Sequence, residues 1–230
     1  MSQSDTPSGP LFEDLGLSDT MLQSLKKMGF ESPSPIQAGL IPIALTGKDC
    51  IGQAHTGTGK TAAFVIPVLE HIDYEAKRPL ALILTPTREL SEQVAEEARK
   101  LSANRNVGVV SIVGGKSIRA QVDELQRGAQ IVVGTPGRVI DLMNRRSLDL
   151  STLDFVILDE ADRMLDIGFR PDIEKILKRC PDERQTLLLS ATLPPPVERL
   201  AQRYMKQPEM VDLSQDAVVT RQIEQYYITV

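Results

Sequence analysis

Six short apolar runs, at 50–53, 80–84, 107–113, 131–133, 155–158 and 187–189, recur along the chain with helix-patterned segments between them. Each is strand-length, and several are apolar at successive rather than alternate positions, the pattern of a strand covered on both faces. The intervening segments carry helical spacing. Residues 18–28 place Met21, Leu22, Leu25 and Met28 on one stripe, and Pro194-Pro195-Pro196 stands just ahead of the periodic Val197, Leu200, Ala201 and Tyr204, where proline is compatible with a helix start. Strand and helix in regular alternation predict an α/β fold with a mostly parallel central β-sheet and helices on both faces, because a parallel neighbour is reached only by a crossover. The composition agrees: 41% hydrophobic and 25% charged residues are the balance of a globular protein, which excludes disorder throughout. The 15 glycines and 15 prolines show no period, which excludes a collagen-like or low-complexity chain.

Residues 1–10 (MSQSDTPSGP) are small, polar and proline-containing, and are expected to form a disordered tail. The chain has no apolar run of membrane-spanning length and no basic or apolar leader at its start, so a soluble, cytoplasmic protein is expected. Its 2 cysteines, Cys50 and Cys180, make no disulfide framework and have no partners at zinc spacing, which suits a reducing compartment. With a net charge of −5, any nucleic-acid site has to be a local basic patch.

A parallel sheet brings the carboxyl ends of its strands to one edge, where ligands of such sheets bind. Five polar segments follow apolar runs here: Ala54-His55-Thr56-Gly57-Thr58-Gly59-Lys60-Thr61, Thr85-Pro86-Thr87-Arg88, Gly134-Thr135-Pro136-Gly137-Arg138, Asp159-Glu160-Ala161-Asp162 and Ser190-Ala191-Thr192. The first fits a phosphate-cradling loop of the form GxxxxGK[ST], with Ala54 in the first glycine place. Gly57 and Gly59 let successive N–H groups turn inward around Thr56 and Thr58, and the helix opening near Lys60 adds its positive end. A lysine in a first helical turn opposes the macrodipole by about 0.3–1 kcal/mol unless an anion is present. Thr61 offers a hydroxyl to magnesium. Asp159, Glu160 and Asp162 crowd three carboxylates after the run 155–158, which is repulsive without a cation. Alone, Asp159 reads as a helix cap; beside a phosphate loop it reads as a magnesium ligand, direct or through water, with Glu160 orienting and deprotonating an attacking water while Lys60 stabilises phosphate charge. The reaction expected is ATP hydrolysis.

Asp159-Glu160-Ala161-Asp162 spells DEAD, and with the phosphate loop and Ser190-Ala191-Thr192 the chain resembles the first RecA-like, P-loop lobe of a DEAD-box RNA helicase, with a flavour of the bacterial cold-shock members. The resemblance spans about residues 11–230. It implies that Gly29-Phe30-Glu31-Ser32-Pro33-Ser34-Pro35-Ile36-Gln37, with Phe12 upstream, is the adenine-reading motif, Phe30 stacking on the base and Gln37 bonding its polar edge. Chemically this fits, since a planar base needs a π surface and an amide can donate and accept together; taken alone, Phe30 reads as core and Gln37 as a surface amide. The resemblance also implies that Pro86, Thr87, Arg88, Gly115, Thr135 and Arg138 grip one RNA strand by its backbone, largely without sequence preference, whereas in isolation Arg88 reads as a helix-face salt bridge and Arg138 as a solvated charge. Lys116, Arg119, Arg145 and Arg146 are basic but read as a solvated face. Ser190 and Thr192 are implied to couple ATP state to RNA binding through hydroxyl contacts to Asp162. His55 departs from the glutamine or arginine usual there.

By the same resemblance, residues 11–220 form the ATP-binding first domain, and 221–230 begin a linker to a second RecA-like domain that the chain lacks. Without the arginines of that second lobe, the domain is expected to bind ATP and Mg but to hydrolyse slowly, the deficit being about 10³–10⁵ in related hydrolases. Two other functions fit parts of the sequence: a P-loop ATPase acting on DNA or protein, and a non-catalytic RNA-binding module.

Overall fold

The computed structural model describes residues 9–213 other than Thr56. Residues 1–8 of the expected tail at 1–10, and the whole expected linker at 221–230, therefore lie outside the described residues. After a 3-10 turn at Phe12–Leu15 come helices α1 (Asp19–Lys27) and α2 (Pro35–Ala44). Strands and helices then alternate: β1 (Cys50–Gln53), α3 (Lys60–His71), β2 (Ala81–Leu84), α4 (Arg88–Leu101), β3 (Val109–Ile112), α5 (Ile118–Gln126), β4 (Ile131–Gly134) and α6 (Pro136–Asn144). The chain continues through β5 (Phe155–Leu158), α7 (Ala161–Asp166), α8 (Arg170–Leu177), β6 (Gln185–Ser190), α9 (Pro195–Tyr204) and β7 (Glu209–Asp212).

The seven strands form one sheet in the order β3-β4-β2-β5-β6-β1-β7, and every pairing is parallel. The all-apolar runs now have their cause. Alternate residues of one strand enter different cores: Ala81 and Ile83 of β2 pack with α1–α4 on one face, while Leu82 and Leu84 pack with α6–α9 on the other. Each apolar run predicted as a strand becomes one, with boundaries shifted by a residue or two. β7 carries no such run. Its burial alternates between half-buried and exposed, as suits an edge strand, and sequence periodicity over four residues is too short to reveal it.

Side chains tie the layers together. Asp49, only 5% exposed, accepts from the backbone N–H of Thr186 (2.7 Å) and Lys206 (2.6 Å), pinning β6 and the approach to β7 against β1. Arg105 and Glu70 form a 2.7 Å ion pair whose side chains are 6% and 12% exposed. The same guanidinium donates to Ser18 Oγ (2.7 Å), the N-cap of α1, and also bonds Tyr74 Oη and the Leu69 carbonyl. Both cysteines are buried and free, and burial pushes the Cys50 thiol up to about 12 and the Cys180 thiol up to about 11, so neither is a thiolate at neutral pH. Among the described residues no helix is long and apolar enough to cross a membrane.

Candidate nucleotide site and strand interface

The spatial order of the strands sorts the polar segments. β1, β6 and β5 are neighbours, so the phosphate loop, Ser190-Ala191-Thr192 and the DEAD segment emerge side by side. β2, β4 and β3 make up the other half of the sheet and deliver Pro86-Thr87-Arg88, Thr135–Arg138 and Gly114-Gly115 together.

On the first half, Gly57, Gly59, Lys60, Thr61, Leu90, Glu97, Asp159 and Glu160 line a cavity of about 280 Å³. Lys60 opens α3 and is 6% exposed; its Nζ donates to the Ala54 carbonyl at 3.0 Å. Among the described residues no carboxylate lies within ion-pair distance of it. A buried ammonium whose one direct partner is a carbonyl keeps donors to spare, and together with the N–H groups of a helix start it forms a site complementary to an anion. Gly59 caps α3 with φ 87, and a Cβ there would meet Gln37 Nε2 at 2.5 Å. Glycine is required at this position on both counts.

Asp159 is 3% exposed. Burial pushes its carboxyl up to about 6, against the attraction of Lys60 and with Glu160 and Glu97 adding repulsion. Its Oδ1 accepts the Glu160 N–H at 3.0 Å. A buried carboxylate whose neighbours include two others is a ready oxygen donor for a hard cation. Among the described residues there is no group of three His, Cys, Asp or Glu side chains able to hold a metal by themselves. Glu160 has left-handed backbone, φ 51 and ψ 51. Its carboxylate pairs with Arg163 at 3.1 Å. Asp162 receives Thr192 N–H and Oγ1–H, both at 2.9 Å, on Oδ2, and its own N–H donates to Ser190 Oγ at 3.2 Å. Partial burial acts upward on the Asp162 carboxyl, but the hydrogen bonds from Thr192, Arg163 and Ser190 hold it below its ordinary range.

Of the residues expected to read adenine, Gln37 lies beside the loop. Gln37 is 2% exposed; its Oε1 accepts from Ser34 N–H (2.9 Å) and its Nε2 donates to the Gly59 carbonyl (3.1 Å). Its amide is therefore a link between α2 and the phosphate loop, which the sequence did not suggest. Phe30 is half-buried and meets Phe12 edge-on at 6.0 Å. Thr58 Oγ1 donates to the His55 carbonyl at 2.8 Å, and the His55 side chain is exposed. Thr56 lies outside the described residues.

On the second half, Pro86 is buried and Thr87 caps α4, accepting from Leu90 N–H at 3.2 Å. Arg88 forms the helix-face salt bridge expected of an isolated arginine, to Glu92 at 3.0 Å. It nonetheless stands beside Gly115, whose notional Cβ would lie 3.0 Å from Arg88 Nη1. Arg138 Nη1 donates to the Lys116 carbonyl at 3.2 Å, and Thr135 caps α6. Arg88, Gly115, Thr135 and Arg138 are thus brought to one surface.

Two residues that sequence reasoning passed over belong here. Glu97 of α4 lines the nucleotide cavity, and burial pushes its carboxyl up, with the Thr61 hydroxyl and Lys100 acting the other way. In the sequence it is half of a Glu96-Glu97 pair that looks like a solvated helix face. Gln121 of α5, 3% exposed, clips the backbone of Val113 by accepting its N–H (3.2 Å) and donating to its carbonyl (3.0 Å), which sets the exit of β3 into Gly114-Gly115. Only its fall on the buried side of a helix could have marked it.

Comparison with known proteins agrees with this geometry. The family profile described as DEAD/DEAH box helicase matches residues 34–200. An ATP-dependent RNA helicase CshA of Listeria monocytogenes is 48% identical over 219 residues, covering 95% of this chain and 42% of the relative. A DEAD-box ATP-dependent RNA helicase CshA of Geobacillus kaustophilus is also 48% identical, with 95% and 47% covered. The crystal structure of a DEAD box protein from Methanococcus jannaschii superposes with a TM-score of 0.85 at 44% identity, covering 88% of this chain and 55% of that one. The chain spans less than half the length of these curated relatives.

Proposed function

Because the chain belongs to the DEAD/DEAH box helicase family, we propose that it is the first RecA-like lobe of an ATP-dependent RNA helicase of the cold-shock type, working in the cytoplasm with residues 11–220 as the nucleotide-binding domain and 221–230 leading to a second RecA-like lobe. The observation that carries this reading is the cavity in which Lys60 faces Asp159 and Glu160 across the ends of β1 and β5. Its volume of about 280 Å³ is below that of a pocket enclosing a whole drug-sized ligand, as suits a phosphate tail with its base outside, against Phe30 and Gln37.

Gly57, Thr58 and Gly59 turn the loop toward the phosphates, and the Lys60 ammonium takes up charge on their β and γ oxygens. Thr61 and Asp159 would hold magnesium, whose positive charge would offset charge developing on the phosphates. Glu160 orients the attacking water and accepts its proton. Thr87, Arg88, Gly115, Thr135 and Arg138, with Pro86 shaping the turn, hold the backbone of one RNA strand, a mode that reads little sequence. Ser190, Thr192 and Asp162 would couple the two, since their hydrogen bonds tie the end of β6 to the DEAD segment. In the full-length protein ATP hydrolysis would then drive local strand separation, whereas this lobe alone turns ATP over slowly.

The test is ATPase activity of the two-lobed protein with and without single-stranded nucleic acid. Stimulation by RNA and not by DNA is expected; stimulation by DNA alone would favour another P-loop ATPase. Within the site, Gln37→Ala should reduce the preference for ATP over GTP about tenfold, the worth of one or two amide hydrogen bonds, read by competition binding. A loss of affinity for both nucleotides with unchanged selectivity would make Gln37 only the link between α2 and Gly59.

A further inference from the structure

One carboxylate at the strand-gripping surface is unexplained by the RNA reading. Glu92 lies one turn beyond Arg88 on α4, and its Oε1 receives both Arg88 Nε (3.0 Å) and Lys116 Nζ (2.8 Å). Lys116 follows Gly114-Gly115, so this single oxygen bridges a helix and a loop that both border the proposed strand. Arg138 grips the same loop through the Lys116 carbonyl at 3.2 Å. An anionic oxygen between a guanidinium and an ammonium is also how such cations hold a phosphate.

The three side chains are 46% (Arg88), 37% (Glu92) and 45% (Lys116) exposed, so water and a competing anion reach all of them, and ion pairs this exposed are weak. Hydrogen bonds from Lys116 and then Arg88 hold the Glu92 carboxyl below its ordinary range, which keeps it charged at neutral pH.

We propose that Glu92 occupies, in the RNA-free chain, the place of an RNA phosphate between Arg88 and Lys116, which makes Lys116 a further phosphate-binding residue and Glu92 the group that limits affinity for the strand. This rests on the RNA reading above. A strand entering the groove has to displace the carboxylate or bind against its charge. The surface is therefore set for moderate affinity and ready release.

The test is binding of a single-stranded homopolymeric RNA to this chain between about 50 and 200 mM salt. Glu92→Gln keeps shape and helix propensity, so the fold is retained. Affinity should rise about two- to fivefold at low salt, the scale of one exposed ion pair. The slope of log affinity against log salt should steepen by about 0.7, the value for one more phosphate neutralised on a single strand. Adding Lys116→Gln should cancel both gains. Unchanged or weaker binding by Glu92→Gln would overturn the proposal, since Glu92 would then hold Arg88 and Lys116 in place for RNA rather than compete with it. Arg138→Ala separates the two layers: if it weakens RNA binding while Glu92→Gln changes nothing, only the present proposal falls, and if neither has any effect the RNA reading falls with it.

Discussion

Glu160→Gln in the two-lobed protein is expected to lower single-turnover ATP hydrolysis by about 10²–10⁴, the usual share of a positioned general base, while ATP stays bound. The amide keeps the size of the side chain and can still hydrogen-bond, but it cannot take the proton from water. Glutamine is also the right choice for the backbone. Residue 160 sits at φ 51 and ψ 51, a conformation that costs a non-glycine residue on the order of 1–2 kcal/mol. Glutamine bears the same cost as glutamate, whereas glycine would relax the turn and change two things together. The substitution also removes the 3.1 Å pairing with Arg163, so Arg163→Gln is the control that separates loss of the base from loss of its partner. Turnover within tenfold of the unmodified protein would take Glu160 out of the reaction. Loss of ATP binding in parallel with turnover would mean that its charge serves the cation site beside Asp159.

Arg105→Ala should destabilise the domain by about 3–5 kcal/mol, because the Glu70 carboxylate, 12% exposed, would be left buried without its counter-charge. That is a large part of a typical stability of about 5–15 kcal/mol, and for a domain of this size it lowers the melting temperature by roughly 6–20 °C. Thermal melts with Arg105→Ala, Glu70→Leu and Arg105→Met/Glu70→Leu read it directly. The double variant should recover most of the loss, since a buried pair replaced by apolar groups is often close to neutral. A drop of under 1 kcal/mol in the single arginine variant would show that Glu70 finds water instead. Since Arg105 also bonds Ser18 Oγ at the start of α1, its removal should loosen the segment leading to Phe30 and weaken ATP binding.

What the sequence made legible, and what it did not, divides along chain separation. The strands β2, β4, β5 and β6 could be read because burial on both faces leaves a local mark, a run of apolar residues. Lys60, Asp159 and Glu160 could be read because each belongs to a short segment whose residue order carries its own chemistry. Glu92 was invisible as anything but a helix-face charge, because its meaning depends on Lys116, which reaches it only after β3 has closed on the sheet. Arg105 and Glu70 escaped for the same reason: arginine and glutamate in a charged chain look solvated until α1, α3 and the loop before β3 bury them together. The part Gln37 plays inside the fold left no sequence mark, since its bonds to Ser34 and Gly59 exist only once α2 packs on the phosphate loop. The reversed backbone at Glu160 left no mark either, since glutamate has no preference for it.

The strand order has a consequence for how the protein comes into being. The loop around Lys60 is translated early and the DEAD segment much later, yet their strands touch only through β6, which ends at Ser190. A nascent chain that stopped short of that residue would carry the phosphate loop and the DEAD segment but not the strand that sets them side by side.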